Sequence, residues 1–101
     1  MERLIKQYSG QGQLILNNNE TVPVSYRIDE FQCYVSDGMG GEVPTLRDTR
    51  GQVAQLKGRR DWHPIVSIQS EPFTLVMSDG RKLKVLLINS DGDVQGTGGF
   101  F

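Results

Sequence analysis

The chain has 101 residues and a net charge of −1; 37% of its residues are hydrophobic and 23% are charged, and it contains one His and one Cys. This length predicts one domain spanning residues 1–101 and excludes two independent cores, and the hydrophobic content excludes a disordered chain. A single Cys excludes an internal disulfide, while the charged start and the lack of a long apolar run predict a cytoplasmic protein without a membrane segment.

The first third of the chain predicts a β-hairpin. Residues 12–17 (GQLILN) and 20–29 (ETVPVSYRID) are predicted strands, the second because its apolar residues recur at every other position. The NNNE segment at 17–20 supplies residues that tolerate the left-handed conformation of a tight turn, so the two strands should pair antiparallel. Residues 1–8 are compatible with one helical turn or with an extended arm.

The apolar positions change parity after Ile28, because Phe31, Cys33 and Val35 have odd numbers. A change of parity without an intervening turn predicts a bulge or bend, which lets a sheet curl. The pattern also predicts that Cys33 is a small core residue rather than a reactive thiolate.

Residues 45–57 are open to two interpretations. The capping-box spacing of Thr45 and Asp48, with a glycine at 58, suggests a helix. Gly51 would lie in the middle of that helix and cost about 1 kcal/mol. We therefore favour a loop followed by a strand at 52–57.

Residues 72–77 and 81–89 are the predicted strands of a second hairpin, joined by SDG at 78–80. The second of these strands alternates at first, but Leu86 and Ile88 make its end apolar on both faces. We expect that end to be covered on both sides or to pair with another chain.

A further turn at 90–93 leads into a short, Gly-rich last strand. The chain also has twelve Gly and a single Ala, which favours strands and turns over helices. Six to seven short strands with little helix predict an all-β fold, a small antiparallel β-barrel or sandwich. Closure would remove the exposed edges of so short a sheet.

The segments YSGQGQLIL and VPVSYRI near the start, with PFTLVMSDGRKLKVLL late in the chain, carry a resemblance. The combination resembles small bacterial all-β proteins of uncharacterised function, in which a GxGxL strand pairs with a VxYxI strand and a DGR turn begins a later hairpin. The resemblance covers about a third of the chain. It implies the all-β fold and no particular activity.

Small bacterial barrels also include cyclic-dinucleotide receptors of the PilZ type, whose signature is RxxxR followed by [DN]xSxxG. Here Arg47 and Arg50 enclose only two residues, and the second motif is missing. The ligand of that family is therefore not carried over.

Catalytic and metal chemistry each lack a component. Asp61 and His63 would lie on one side of an extended chain before Pro64, but no nucleophile is defined beside them. The DGDVQG segment at 91–96 starts like a calcium loop, yet its final Glu would fall at residue 102, and a turn needs the same residue types. The sequence predicts no catalytic residue, no metal and no cofactor.

The glycine clusters at 37–42 and 96–101 lack the phosphate-loop patterns and are interpreted as turns.

The strongest binding signal is a basic segment at 47–62, predicted to be an exposed connection around GRRDWHP at 58–64. Residues 45–64 hold five Lys or Arg against two Asp. Fixed cations beside one flat aromatic ring are what an anionic ligand or a nucleic acid requires. The candidate ligand-binding residues are Arg47, Arg50, Lys57, Arg59, Arg60, Trp62 and His63.

These patterns support three hypotheses for function. The leading one is a non-enzymatic binding or protein-interaction module that self-associates through strand 83–89 or through Phe100 and Phe101. The alternative is a binder of an anionic partner or nucleic acid through the basic segment 47–62. An enzyme is the third.

Overall fold

Six antiparallel strands form a closed barrel in the computed structural model, which describes residues 2–56 and 62–101. The strands are β1 (Glu2–Ile15), β2 (Thr21–Ser36), β3 (Glu42–Gln55), β4 (Phe73–Val76), β5 (Lys82–Leu87) and β6 (Asp93–Gly96), with one short helix, α1 (His63–Ser67). The order around the barrel is β1-β2-β3-β6-β5-β4. The all-β prediction is confirmed, as a barrel.

The predicted first hairpin is present and longer than expected. Its turn closes with the amide of Leu16 donating to the Glu20 carbonyl at 2.8 Å, and Asn19 has a positive φ of 66°. Residues 2–8 pair with β2 as far as Cys33, so the extended alternative for the start of the chain is correct.

β2 keeps its alternation beyond Ile28, so the bulge or bend predicted directly after Ile28 is wrong. Glu30 and Gln32 take the next buried positions, and the odd-numbered apolar residues lie on the other side of the sheet. Cys33 is half-buried there and does not join the core. The irregularities lie farther along the sheet, between Leu4 and Lys6 of β1 and opposite the Gln32 to Tyr34 step of β2.

Residues 45–55 belong to β3, which pairs with β2 except at the register shift opposite Cys33. The predicted helix and the loop predicted before residue 52 are therefore wrong, whereas the strand predicted from residue 52 is present as far as Gln55. Gly51, whose cost in a helix made that interpretation less favourable, is needed for the packing of two strands. A Cβ atom on Gly51 would overlap the carbonyl oxygen of Arg27, so the close approach of β2 and β3 requires glycine at this position.

The second hairpin is confirmed. The amide of Met77 donates to the Arg81 carbonyl at 2.8 Å, and Gly80 has a φ of 89°. β5 pairs with β4 on one side and β6 on the other, and Phe101 exchanges two backbone hydrogen bonds with Lys82.

The barrel encloses one apolar core. Its buried members come from every strand and include the tryptophan that precedes α1. They are Leu14, Leu16, Val24, Tyr26, Ile28, Val53, Trp62, Phe73, Leu75, Met77, Leu83, Val85, Leu87 and Val94. Within residues 2–56 and 62–101, no helix has the length and apolarity to cross a membrane.

The first three strands project well past the barrel. β1 pairs with β4 only over residues 13–15, and β3 pairs with β6 only over residues 50–52. We call the projecting three-stranded sheet, residues 2–9, 27–36 and 42–50, the extension. It gives the protein its elongated dimensions of 53 × 27 × 21 Å. Its inner face continues the side that carries Ile28, and its outer face is the opposite side.

Candidate functional site

Arg47 and Arg50, the two predicted binding residues on β3, point to opposite faces of the extension. Arg47 lies opposite Gln32, and Arg50 lies opposite Asp29. Because side chains alternate along a strand, residues three apart lie on different faces. Arg47 therefore belongs to the inner face and Arg50 to the outer face, and the structure does not bring them into one site.

Arg50 is held in a cluster of ion pairs on the outer face. Its guanidinium pairs with Glu2 and lies 3.7 Å from a carboxylate oxygen of Asp48. The same group lies 4.3 Å from the centre of the Phe31 ring. Two carboxylates already neutralise this cation, which leaves little charge for an anionic ligand.

A shallow depression of about 330 Å³ lies beside this cluster. It is lined by Arg27, Asp29, Phe31, Arg50, Gly51 and Gln52. Arg27 Nε lies 3.6 Å from Asp29 Oδ1, and this oxygen is buried without a hydrogen-bond partner. The charged groups of the depression are thus paired with one another or with their neighbours.

The outer face becomes apolar toward the tip of the extension. Leu4 lies opposite Phe31, and Val43 lies opposite Val35. Leu4, Val35 and Val43 are 49%, 53% and 45% exposed. Cys33 lies between these two apolar pairs along β2. The sequence did not single out this surface.

Three rows of residues cross the inner face. In register they are Tyr8, Ile28 and Gly51, then Lys6, Glu30 and Thr49, then Arg3, Gln32 and Arg47. The first row still belongs to the barrel, because Ile28 is fully buried. The next two rows replace apolar side chains by polar and charged ones on the same side of the sheet.

Those two polar rows contain every buried polar residue in the described part of the chain. Glu30, Gln32 and Thr49 are only 9%, 8% and 4% exposed. Gln32 accepts a hydrogen bond from Arg47 Nε at 3.2 Å, and Thr49 Oγ1 is buried without a partner. Burying polar groups costs free energy, so this floor is a departure from a simple apolar core.

Cations on the inner side lie against aromatic rings. The contacts place Arg3 on Tyr34, Lys6 on Tyr8, and Arg81 on both Tyr8 and Phe100, at 5.1, 5.1, 5.3 and 5.9 Å from the ring centres. Arg81 also donates to the Tyr8 hydroxyl at 3.0 Å. Sequence reasoning missed Arg3, Lys6 and Tyr8, because residues 1–8 were not assigned to a strand.

Trp62 is a core residue, so its prediction as an exposed stacking ring is wrong. It is 1% exposed, its amide donates to the Ser90 carbonyl at 3.3 Å, and a Cβ on Gly92 would approach its Nε1 to 2.8 Å. A ring so enclosed has no face available for a base.

Of the remaining predicted binding residues, His63 is described by the structure and the other three are not. His63 is exposed and begins α1. Lys57, Arg59 and Arg60 lie outside the described residues, as does Asp61, the proposed neighbour of His63.

The DGDVQG segment forms a turn and then β6. Asp93 accepts hydrogen bonds from Asn89 Nδ2 and Gln52 Nε2, both at 2.8 Å, and these bonds hold the pKa of the Asp93 carboxyl below its ordinary value. Asp37, in the other glycine-rich turn, has a lowered pKa because the amides of Met39 and Gly41 donate to it. In residues 2–56 and 62–101, no three His, Cys, Asp or Glu side chains are grouped to hold a metal ion.

The surfaces predicted for self-association are partly covered. The edges of β5 are both paired, and only its outward side chains Leu86 and Ile88 remain, 38% and 58% exposed. Phe100 packs on Tyr8 with ring centres 4.9 Å apart, while Phe101 is 61% exposed.

Comparison with family models, with curated proteins and with solved structures finds no match to this chain.

Proposed function

We propose that the protein is a non-enzymatic binding module that associates with a second copy of itself through the outer face of the extension. The observation that carries this proposal is the group of exposed apolar side chains toward the tip of the extension, where Leu4, Val35 and Val43 lie on the outer face. Of the eleven exposed large hydrophobic residues in the described chain, six belong to the extension or to the turn between β2 and β3. They are Leu4, Ile5, Val35, Met39, Val43 and Leu46. Clustered exposed apolar surface is typical of protein interfaces.

The charges around this surface favour a second copy as the partner. A two-fold contact places the same patch of each subunit against the other, so a patch with a large net charge would repel itself. Here Arg50 is paired with Glu2 and Asp48, and Arg27 is paired with Asp29. The apolar centre, with a margin whose charges are paired and whose net charge is small, is therefore compatible with itself.

The backbone of the extension supports the same partner. From Glu2 to Gly12, β1 has β2 on one side and no described strand on the other. Both edge strands contain a register shift, but only β3 also contains a proline, Pro44, in the extension. The β1 edge is thus the more open of the two, and Leu4 on this strand belongs to the apolar outer face.

The non-enzymatic part of the proposal is supported by the placement of Cys33 and His63 on different elements. Cys33 lies on the outer face of the extension, whereas His63 lies at the start of α1 beside the core tryptophan. A nucleophile and a base must be within hydrogen-bond reach to act together.

Two variants matched in chemistry and exposure test the surface. Val35 on the extension and Ile88 at the end of β5 are 53% and 58% exposed. Light scattering coupled to size-exclusion chromatography should show a dimer for the wild-type protein and a monomer for Val35→Glu. Ile88→Glu should remain a dimer, and circular dichroism should show that both variants keep the barrel.

A wild-type protein that stays monomeric as concentration rises contradicts the proposal. A dimer that Ile88→Glu dissociates and Val35→Glu does not would move the interface to β5, the surface that the sequence predicted.

A further inference from the structure

The inner face of the extension combines the features of a ligand-binding floor. It lies on the side of the sheet opposite to the proposed dimer surface, so a ligand on this face would bind independently of self-association. The two polar rows of this face combine buried and exposed side chains. The buried ones are Glu30, Gln32 and Thr49, and the long side chains beside them are Arg3, Lys6 and Arg47. An apolar core would have needed none of these polar groups.

The central cations of this face are available to an anion. Arg3 pairs with Glu42 at 3.2 Å and Arg81 pairs with Asp79 at 3.3 Å, at the two ends of the face. Between them, neither Lys6 nor Arg47 forms an ion pair with a described carboxylate. Lys6 lies opposite Glu30 in register, but the Glu30 side chain is buried.

Arg47 is also oriented before any ligand arrives. Its Nε donates to Gln32 Oε1 at 3.2 Å, while Gln32 Nε2 donates to the carbonyls of Thr45 and Leu46 at 3.3 and 3.4 Å. The buried amide is thus fixed at both ends, and it holds Nε of Arg47, whose side chain is otherwise exposed. Such preorganisation lowers the ordering cost of binding.

Aromatic rings alternate with these cations along the face. Tyr34 lies with Arg3 at the tip, and Tyr8 and Phe100 lie with Arg81 next to the barrel. From Arg3 to Tyr8 the strand spans five residues, or about 17 Å at the usual rise of a strand. Cations that contact phosphates beside rings that stack on bases are the requirements of single-stranded nucleic acid binding.

We infer that the inner face of the extension binds single-stranded nucleic acid, with Lys6 and Arg47 contacting phosphates and Tyr34 stacking on a base. A duplex does not satisfy this arrangement, because its bases are already stacked and paired. An acidic peptide would use the cations but would leave the rings without a planar partner.

Fluorescence anisotropy with a labelled single-stranded oligonucleotide of about 15 nucleotides tests the inference, since known single-strand sites span 4–16 nucleotides. The double variant Lys6→Gln with Arg47→Gln should weaken binding at least about tenfold and reduce the salt slope by about 1.4, because two phosphates are no longer neutralised. The matched control is Lys82→Gln with Lys84→Gln, which removes the same charge from exposed positions of β5 and should change affinity by less than about twofold.

A second pair of variants tests stacking without changing charge. Tyr34→Leu should weaken binding by about fivefold or more, and Tyr34→Phe, which keeps the ring, should bind like the wild type. Circular dichroism of each variant shows whether the barrel is retained. Val35→Glu, on the other face, should dissociate the dimer and leave oligonucleotide affinity unchanged, so failure of one proposal is distinguishable from failure of the other.

Several results would overturn the inference. Among them are a flat anisotropy signal at low salt and an equal loss of affinity in the inner-face and control double variants. Binding to the matching duplex, or to heparin, as tight as to the single strand would also overturn it, because neither offers free bases. An acidic peptide that displaces the oligonucleotide and is sensitive to the same two cations would assign the face to protein partners instead.

Discussion

The guanidinium of Arg47 and the side-chain amide of Gln32 form one unit that joins an irregular part of the sheet to a charged surface. Gln32 Oε1 accepts from Arg47 Nε at 3.2 Å, and Gln32 Nε2 donates to backbone carbonyls of β3 where that strand has its extra residues. Because Gln32 is only 8% exposed, water cannot easily replace these partners.

Substitution of Gln32 should therefore cost stability and loosen Arg47 together. Gln32→Leu removes the acceptor and the donor, and we expect a loss of about 1–3 kcal/mol in the free energy of unfolding, the usual penalty for unpaired buried groups. Urea denaturation followed by circular dichroism measures it.

Gln32→Glu separates the two roles, because it keeps an acceptor for Arg47 and removes the donor to the carbonyls. Its loss of stability should be smaller than that of the leucine variant. If Gln32→Leu were as stable as the wild type, the irregular part of β3 would not need the Gln32 amide.

The sequence predicted the barrel well because the barrel has one buried apolar face. Val24, Tyr26 and Ile28 alternate with polar residues, and this alternation specifies a strand and its orientation. Past Ile28 the same side of the sheet is no longer covered by the core, so polar residues can occupy it. The parity of apolar residues then follows the outer face instead, which produced the wrong prediction of a bend after Ile28.

The fluorescence of Trp62 tests whether this side chain is buried in the core rather than exposed for binding. Trp62 is the only tryptophan, and it is enclosed in the core. Its fluorescence should be shifted to the blue and poorly quenched by acrylamide, and an oligonucleotide should leave its emission unchanged. Trp62→Ala should lower the free energy of unfolding by about 3–5 kcal/mol, with Trp62→Phe losing less. Emission and quenching like those of free indole in water would contradict its burial.

The candidate site was harder to predict than the fold because it depends on strand register. Once β3 is a strand, the spacing of Arg47 and Arg50 alone separates them onto two faces. By contrast, Arg3 and Lys6 share a face only because β1 has a bulge at Ile5, and no residue pattern marks that bulge. The inner face is thus assembled from three strands whose alignment is a property of the folded sheet.

The close approach of β2 and β3 predicts a large difference between two glycine substitutions. Gly51→Ala should lower the free energy of unfolding by about 3 kcal/mol or more, because the added methyl group meets strand backbone that cannot move aside. Gly99→Ala is the control, since a Cβ there has no neighbour within 4 Å, and it should change stability by less than about 0.5 kcal/mol. Thermal or urea unfolding compares them, and equal stability of the two variants would show that the strands can separate at Gly51 without cost.

The lowered pKa of Asp93 predicts part of the loss of stability of the protein in acid. Hydrogen bonds from Asn89 and Gln52 lower its pKa in the folded state below the ordinary value of 3.8. The folded protein therefore binds this proton less readily than the unfolded chain, so the stabilisation is complete above pH 3.8 and is lost as the pH falls through the folded pKa. Asp93→Asn should have a lower free energy of unfolding than the wild type at neutral pH, and this free energy should decrease less on acidification. A smaller acid sensitivity should remain in the variant, because the pKa of Asp37 is also lowered. Urea midpoints at pH 7 and at about pH 3 measure this difference, with Asp91→Asn as a control that removes an equal charge from the same turn. If Asp93→Asn and the wild type lost stability equally on acidification, Asp93 would not be linked to folding.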